Sequence, residues 1–156
     1  MKKIVLICSF LFLLAGCSSD ESSKFNESAV QYSLIAQNDF SVSTTESFIE
    51  SKLVIKDIKS WTTFLATING QSQLTATFTE TEIDFTKYQI IDVFDEIRHY
   101  GGYSVDITRI VENGNKIVIQ VEHLKKGNIA TVVTHPFHII KMPRSNKKVI
   151  FKEIKT

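Results

Sequence analysis

Two histidines near the C-terminus, His135 and His138, form the closest approach in this sequence to a metal-binding pair. Imidazole nitrogens bind zinc and related metals, but a site needs three or four converging ligands. Side chains three residues apart in a strand point to opposite faces, so these two cannot share one ion without a bulge. A third histidine, His123, continues an alternating apolar face and is expected to end a core strand. We therefore predict no metal site.

Ser104 and Asp106 raise the possibility of hydrolytic chemistry. They would lie on one face of a strand, and a histidine could complete a nucleophilic triad with them. However, the serine lacks the flanking pattern of a nucleophile elbow and a glycine-rich oxyanion loop. The sequence also contains no HExxH, P-loop or GxGxxG motif. We predict no catalytic residues, no cofactor and no enzymatic activity.

The stretch RHYGGYSVDI, residues 98–107, places Gly101 and Gly102 between Tyr100 and Tyr103. Two interpretations are open. The commoner one is a turn or bulge that needs positive φ before a strand. The other is a partner-binding loop, in which a backbone without side chains allows close approach and the two tyrosines provide rigid aromatic contacts.

The N-terminus has the pattern of an export signal. A short basic start precedes an apolar run, Ile4 to Leu14, that is too short to cross a bilayer, which needs roughly 20 residues. The following Leu-Ala-Gly-Cys, which ends at Cys17, resembles the lipobox of bacterial lipoproteins. We expect residues 1–16 to be a signal peptide and Cys17 to carry lipid, including palmitate. The alternative is an ordinary signal peptide with a cysteine near its cleavage site.

Cysteine usage and charge narrow the possible functions further. Of the two cysteines, Cys8 lies in the predicted leader and Cys17 is the predicted lipidation site, so the folded part has no disulfide, cysteine nucleophile or thiolate metal site. The formal net charge is +1 for the whole chain, and it becomes −1 without the leader, which contains two lysines and no acidic residue. This balance argues against a nucleic-acid partner.

The predicted domain organisation is simple. Residues 17–28, which hold the cysteine and a small, acidic stretch, should form a flexible tether. Their Ser-Asp-Glu cluster resembles the surface-export signals of Bacteroidota lipoproteins, although a plain solvated linker would have the same composition. Residues 29–156 are then one globular domain, with folded structure beginning between Ala29 and Phe40.

One helix is predicted, over about residues 57–69. Asp57 can cap its first turn, and Asn69-Gly70 supplies a stop. Apolar residues recur on one helical stripe that includes Trp61, which we interpret as core rather than as a sugar-stacking platform.

The other predicted elements are strands. In the first half they cover Phe48–Ile55, Leu74–Phe78 and Tyr88–Phe94. In the second half, Asn113-Gly114 signals a tight hairpin whose central residues take positive φ. Further turns lead into strands over 129–140 and 148–154. We expect an α+β fold, mainly antiparallel β: a small sheet or sandwich-like meander over 103–154 with one packed helix.

Several separated motifs occur in order along the chain: the segment 83–94 (IDFTKYQIIDVF), Gly101-Gly102-Tyr103-Ser104-Val105, Ile107-Thr108-Arg109-Ile110, the strand 130–143 that ends in Lys-Met-Pro, and Val149-Ile150-Phe151. Together they resemble the PrcB-type family of protease-complex lipoproteins. The resemblance covers about residues 50–154, with a core at 83–154. The residues before the glycines depart from it, because Arg98-His99-Tyr100 stands where a Pro-Thr turn is expected.

The resemblance implies a binding module without catalysis of its own. It implies an accessory subunit of an exported protease complex. Together with the lipobox-like pattern at Cys17 and the Ser-Asp-Glu cluster, it leads us to expect an outer-membrane lipoprotein of the cell envelope that is exposed at the surface. Tyr100, Gly101, Gly102 and Tyr103 are then the partner-binding loop. Two alternatives remain: a protease inhibitor, because the Gly-Gly-Tyr loop is similar to the small-residue loop of chagasin-type inhibitors, and a surface lipoprotein with a structural role.

Overall fold

The protein folds as two four-stranded β-sheets packed face to face, with one helix on the outside of the second sheet. This computed structural model describes residues 27–41 and 50–154. The hairpin sheet contains, in spatial order, β1 (Ser28–Ala29), β5 (Asp106–Asn113), β6 (Lys116–Glu122) and β8 (Lys148–Glu153). The helix-side sheet contains, in spatial order, β2 (Ser33–Ser41), β7 (Thr134–Pro143), β4 (Tyr88–Phe94) and β3 (Ser51–Ile55). The expected α+β class, mainly antiparallel with one packed helix, is confirmed.

The core between the two sheets arises from the alternation of apolar residues along each strand. Ile117, Ile119 and Val121 of β6 are buried, and the residues between them are only partly buried. They pack against Ile91 and Val93 of β4, in the other sheet. Each fully buried side chain of this size contributes roughly 1.5–3 kcal/mol relative to an exposed one.

The core on the other face of the helix-side sheet is formed with α1 (Ile58–Ser72). Trp61 is 1% exposed there, stacks on Phe64 and donates its indole N–H to the carbonyl oxygen of Thr81 at 2.7 Å. The interpretation of Trp61 as core is confirmed. Asp57 is the N-cap, as predicted, and accepts from the backbone N–H of Ser60 at 2.8 Å.

The helix ends later than the predicted stop at Asn69-Gly70. It continues through Gly70 to Ser72, and Gln73 takes the left-handed conformation with φ 49°. Residues Leu74–Thr77 then form a 3₁₀ helix. The predicted strand Leu74–Phe78 is therefore wrong, because this stretch closes the helix end and buries Leu74 instead of pairing.

The hairpin at Asn113-Gly114 is confirmed, since Asn113 of β5 pairs with Lys116 of β6. Its two central residues are Gly114 and Asn115, however, and only Gly114 has positive φ, at 58°. The predicted meander over 103–154 is wrong in its connectivity. After β6 the chain crosses to the helix-side sheet as β7 and then returns as β8, which pairs with β6 in parallel.

Two predicted strand boundaries also need correction. The strand expected over 129–140 begins only at Thr134 and extends to Pro143, so residues 123–133 form the loop between β6 and β7. The strand expected over Phe48–Ile55 is seen as β3, and its first residues lie outside the described part of the chain. The predicted leader 1–16, Cys17 and most of the predicted tether 17–28 also lie outside it. Within the described ranges, no helix has the length and apolar character needed to span a membrane.

One charged residue is buried in the middle of the helix-side sheet. Asp92 alternates with Ile90 and Phe94 on the face that packs against α1, and it is fully buried. Among the described residues, neither of its carboxylate oxygens has a hydrogen-bond partner. Burial raises the pKa of Asp92 well above its ordinary value. The group is therefore held in its neutral form in the folded state.

Candidate functional site

The Gly-Gly-Tyr stretch carries the chain from the helix-side sheet to the hairpin sheet. At its start, Arg98 exchanges two backbone hydrogen bonds with Thr134, of 2.8 and 2.9 Å. At its end, Tyr103 forms an isolated antiparallel bridge with Lys126. The loop is thus held at both ends by the segment that precedes β7.

The two glycines allow this loop and the 124–132 loop to pack backbone against backbone. Gly101 donates to the carbonyl oxygen of Ala130 at 3.0 Å and accepts from the N–H of Asn128 at 2.8 Å. Gly102 has φ 76°, and a Cβ there would lie 2.5 Å from the side-chain nitrogen of Asn128. Positive φ and close approach together explain why side chains are excluded.

A third segment, β2, also contacts the glycine loop. Asp39 of β2 accepts a hydrogen bond from the backbone N–H of Gly102 at 2.7 Å. The guanidinium of Arg98 lies 5.0 Å from the centre of the Tyr103 ring, a cation–π distance. The same ring lies directly against the position that a Cβ on Gly127 would occupy. Tyr103 is therefore half-buried, with its ring packed between Arg98 and Gly127.

The two loops together present apolar side chains to solvent. We call residues 100–103 and 124–132 the paired-loop surface. Its large exposed apolar residues are Tyr100 (48%), Leu124 (57%), Ile129 (97%) and Val132 (36%). Lys125 and Lys126 are exposed between them. Of the predicted loop residues, Tyr100 reaches solvent, whereas Gly101 is buried and Gly102 and Tyr103 are partly buried.

The sequence pattern does not reveal Leu124, Ile129 and Val132 as parts of this surface. Their stretch, LKKGNIATV, predicts a turn followed by a strand, which would bury alternate residues. The signal that could have revealed them is the pair of lysines with Gly127-Asn128, because such a polar stretch favours a longer loop than a tight turn.

A cleft of about 610 Å³ opens beside the paired-loop surface, between the ends of the two sheets. Its central group is Asp95, whose carboxylate is only 8% exposed and accepts from Arg98 at 2.7 Å. The other oxygen of Asp95 lies 3.1 Å from Nε2 of His123. The backbone oxygen of Asp95 is 2.6 Å from Nε2 of His135. Asp95 therefore links the sheet end to the loops.

The cleft walls carry balanced charge. The lining contains both basic and acidic residues. Lys52 of β3 lies 2.6 Å from Glu153 of β8, in the other sheet. Arg98 is paired with both Asp95 and Glu96. Lys52 and Arg98 are therefore neutralised by neighbouring carboxylates within the cleft.

The candidate triad residues lie close together but are connected as a structural network. Ser104 is buried and donates its hydroxyl to Asp106 at 2.5 Å. His138 accepts, through Nδ1, from the backbone N–H of Ile107 at 3.0 Å. Burial lowers the pKa of His138 to about 4, against the opposing effect of Asp106. In this arrangement the Ser104 hydroxyl donates to a carboxylate and not to a histidine.

The geometry of the C-terminal histidines agrees with the strand argument. His135 contacts Phe94 on the helix side of the sheet, and His138 bonds Ile107 on the side facing the hairpin sheet. The two rings therefore lie on opposite faces of β7. Within residues 27–41 and 50–154, no group of three or more potential ligands is positioned to hold a metal ion.

One part of the chain matches a known family model. Residues 93–143 match the family model described as PrcB C-terminal. The match contains the end of β4, the whole paired-loop surface, the β5–β6 hairpin and β7. The resemblance expected from the sequence is confirmed over this segment. The chain has no significant match among curated proteins or among solved structures.

Proposed function

We propose that the protein, whose residues 93–143 carry the PrcB C-terminal family pattern, is a non-catalytic accessory subunit of the bacterial cell envelope. It binds a partner protein through the paired-loop surface, and an exported protease complex is the first partner to test. The family match supports an accessory role in such a complex, and it spans both loops of the surface.

The observation that carries the proposal is that Ile129 is exposed on a loop that is held in place by backbone hydrogen bonds. An isoleucine that is 97% exposed contributes little to folding, and three more large apolar residues share its surface. The backbone bonds to Gly101 hold the loop in place, so docking would cost little conformational entropy. Lys125 and Lys126 favour a partner whose apolar pocket has an acidic rim.

The inhibitor alternative receives less support from the loop geometry. An inhibitory wedge needs its glycine backbone free to enter a protease cleft. Here the N–H and carbonyl groups of Gly101 and Gly102 are bonded to Ala130, Asn128, Asp39 and Gly127 of the same chain. The surface that remains accessible consists of side chains, which suits docking on a subunit better than insertion into an active site.

The proposal includes a lipid anchor at Cys17 that places the domain at the outer membrane, exposed at the cell surface. Its support is the lipobox-like pattern ending at Cys17. Two or more acyl chains give stable membrane attachment. Incorporation of labelled palmitate into the full chain, lost in Cys17→Ser, is the expected result. Equal labelling of both forms would contradict the anchor.

The docking proposal is tested by co-purification of the tagged full chain from the membrane fraction of its native cells. Ile129→Asp should lose a specific partner that the unmodified chain retains, because the change places a charge at the centre of the surface. The matched control is Ile58→Asp, which alters an exposed isoleucine at the start of α1. Both variants should keep the circular dichroism spectrum of the unmodified chain.

Activity measurements then separate the two functional classes. If the partner is a protease, adding the purified chain should leave turnover unchanged or raise it. Stoichiometric loss of turnover would instead identify an inhibitor. Retention of the partner by Ile129→Asp, or equal loss with Ile58→Asp, would remove the paired-loop surface as the docking site.

A further inference from the structure

The strand β3 is an open edge of the helix-side sheet. It is the last strand in the order β2-β7-β4-β3, and within the described residues no segment pairs with its outer side. Alternate backbone N–H and carbonyl groups of an edge strand point outward and can pair with another strand. In the middle of β3, Leu53 is 44% exposed. This edge therefore offers both hydrogen-bonding groups and an apolar side chain.

The other sheet edges are protected. β1 has only two residues. β2 has a bulge between Leu34 and Ala36, and Thr79 donates its backbone N–H to the carbonyl oxygen of Ile35 at 2.9 Å. β8 carries exposed lysines at Lys148 and Lys152. Short strands, bulges and edge lysines are the usual means by which proteins prevent strand addition.

The lysine of β3 is ion-paired inside the sandwich and does not project outward from the edge. Lys52 turns inward across the sandwich to Glu153, at 2.6 Å, and its side chain is only 26% exposed. Within the described residues, β3 has no register shift in its pairing with β4. It is thus the edge at which strand addition meets least resistance.

The sequence around β3 is self-complementary. In an antiparallel pair of two copies centred on Leu53, each Leu53 lies opposite its twin. Glu50 of each copy then lies opposite Lys56 of the other, and Lys52 lies opposite Val54. No like charges face each other directly. Residues opposite each other share a face of the sheet, so the Glu50–Lys56 pairs form at both ends of the contact.

The charged groups needed for this pairing are accessible. The side chain of Glu50 is 58% exposed and lies 3.4 Å from the ammonium of Lys52. Lys52 makes a shorter contact of 2.6 Å with Glu153, so Glu50 is only weakly held. Lys56 donates to the carbonyl oxygen of Ser145 at 2.7 Å. An ammonium has three donors, so Lys56 can keep this bond and also donate to a carboxylate.

We propose that β3 pairs with β3 of a second copy of this chain, antiparallel and centred on Leu53. The contact is isologous, as expected for a two-fold dimer. It joins the two helix-side sheets into one sheet of eight strands. A groove of about 750 Å³ between β3 and α1, lined by Leu53 and Phe64, receives side chains of the added strand.

Disulfide trapping on the full chain in intact cells tests the register. Opposed residues in an antiparallel pair have Cα atoms about 4.5–5.5 Å apart, which is within the range that a disulfide bridges. Leu53→Cys should therefore give a covalent dimer with a mild oxidant. The control Ser51→Cys lies on the same face, but its two copies are displaced by roughly 14 Å along the strands and should not link. Equal linking of both variants, of neither, or of Leu53→Cys only to another protein would overturn the proposal.

Charge reversal tests the pairing independently. In sedimentation of the purified full chain in detergent, Glu50→Lys and Lys56→Glu should each raise the dimer dissociation constant about tenfold, because each opposes like charges at both ends. The double variant should restore dimerisation. A monomeric unmodified chain, or a double variant as weak as the singles, would overturn the proposal. Since β3 and the paired-loop surface share no residues, either outcome leaves the docking proposal to its own test.

Discussion

In the sandwich core, Ile119 is fully buried between the two sheets, whereas in the paired-loop surface Ile129 is 97% exposed. The core is held by side chains that alternate along strands, and its backbone groups are satisfied by regular pairing. The paired-loop surface is held by backbone bonds at Gly101 and Gly102, and its large side chains point away from the fold. The apolar residues of the sandwich core therefore stabilise the fold, whereas those of the paired-loop surface are available for binding.

The largest expected effect comes from truncating the same residue type in each region. Ile119→Ala should lower the free energy of unfolding by about 2–5 kcal/mol, because it leaves a cavity between the sheets. Ile129→Ala should change it by less than about 0.5 kcal/mol, as is usual for exposed positions. Urea denaturation of both variants measures the difference. A large loss in Ile129→Ala would mean that the loop is part of the core.

The next effect concerns a polar group in the core, Asp92, and depends on pH. Its folded-state pKa is raised by burial, so the folded chain retains a proton that the unfolded chain releases. Stability is therefore highest below the unfolded pKa and falls as pH rises toward the folded pKa, by about 1.4 kcal/mol per pH unit. Asp92→Asn removes this dependence and should be more stable than the unmodified chain at pH 8.

Denaturation curves between pH 4 and pH 8 for both forms test this statement. The stability difference should widen steadily from the acidic to the basic end. Parallel curves would contradict this statement, because they would show that Asp92 ionises in the folded state without a cost in stability.

A smaller effect is expected from adding one methyl group to a glycine. Gly102→Ala should cost about 1–3 kcal/mol, because φ is 76° and Asn128 occupies the space of the new Cβ. Gly70→Ala is the opposite case. It lies within α1 with open space around it and should gain about 0.5–1 kcal/mol. Thermal unfolding of the two variants should shift in opposite directions, and a shift of both in the same direction would contradict the argument.

The sequence predicted those parts of the fold that depend on neighbouring residues. Asp57 and the apolar stripe through Trp61 predict α1, and Asn113-Gly114 predicts the β5–β6 hairpin, because capping and tight turns are local. It could not predict that β8 pairs with β6 in parallel, since β7 leaves for the other sheet between them. β7 is buried on both faces, and nothing within its own sequence specifies the sheet that it joins.

The candidate site was predictable only in part for a related reason. Gly101 and Gly102 indicate an unusual backbone, and their neighbours Tyr100 and Tyr103 suggest a surface. The segment that packs on them begins more than 20 residues later, at Leu124, and the bonds between them leave no pattern in either stretch. Residues 124–132, whose pattern predicts a turn and the start of a strand, instead form the larger part of the paired-loop surface.

The smallest effect tests the link between the two regions. Asp39 of β2 accepts a hydrogen bond from the backbone N–H of Gly102, so one carboxylate connects the core sheet to the glycine loop. Asp39→Ala should lower stability by about 1 kcal/mol and speed amide exchange at Gly102, with little change in β5 and β6. Asp39→Asn keeps an acceptor and should retain most of the protection. If the two variants exchange equally fast at Gly102, the loops are held only by the hydrogen bonds between them. The core would then not determine the conformation of the paired-loop surface.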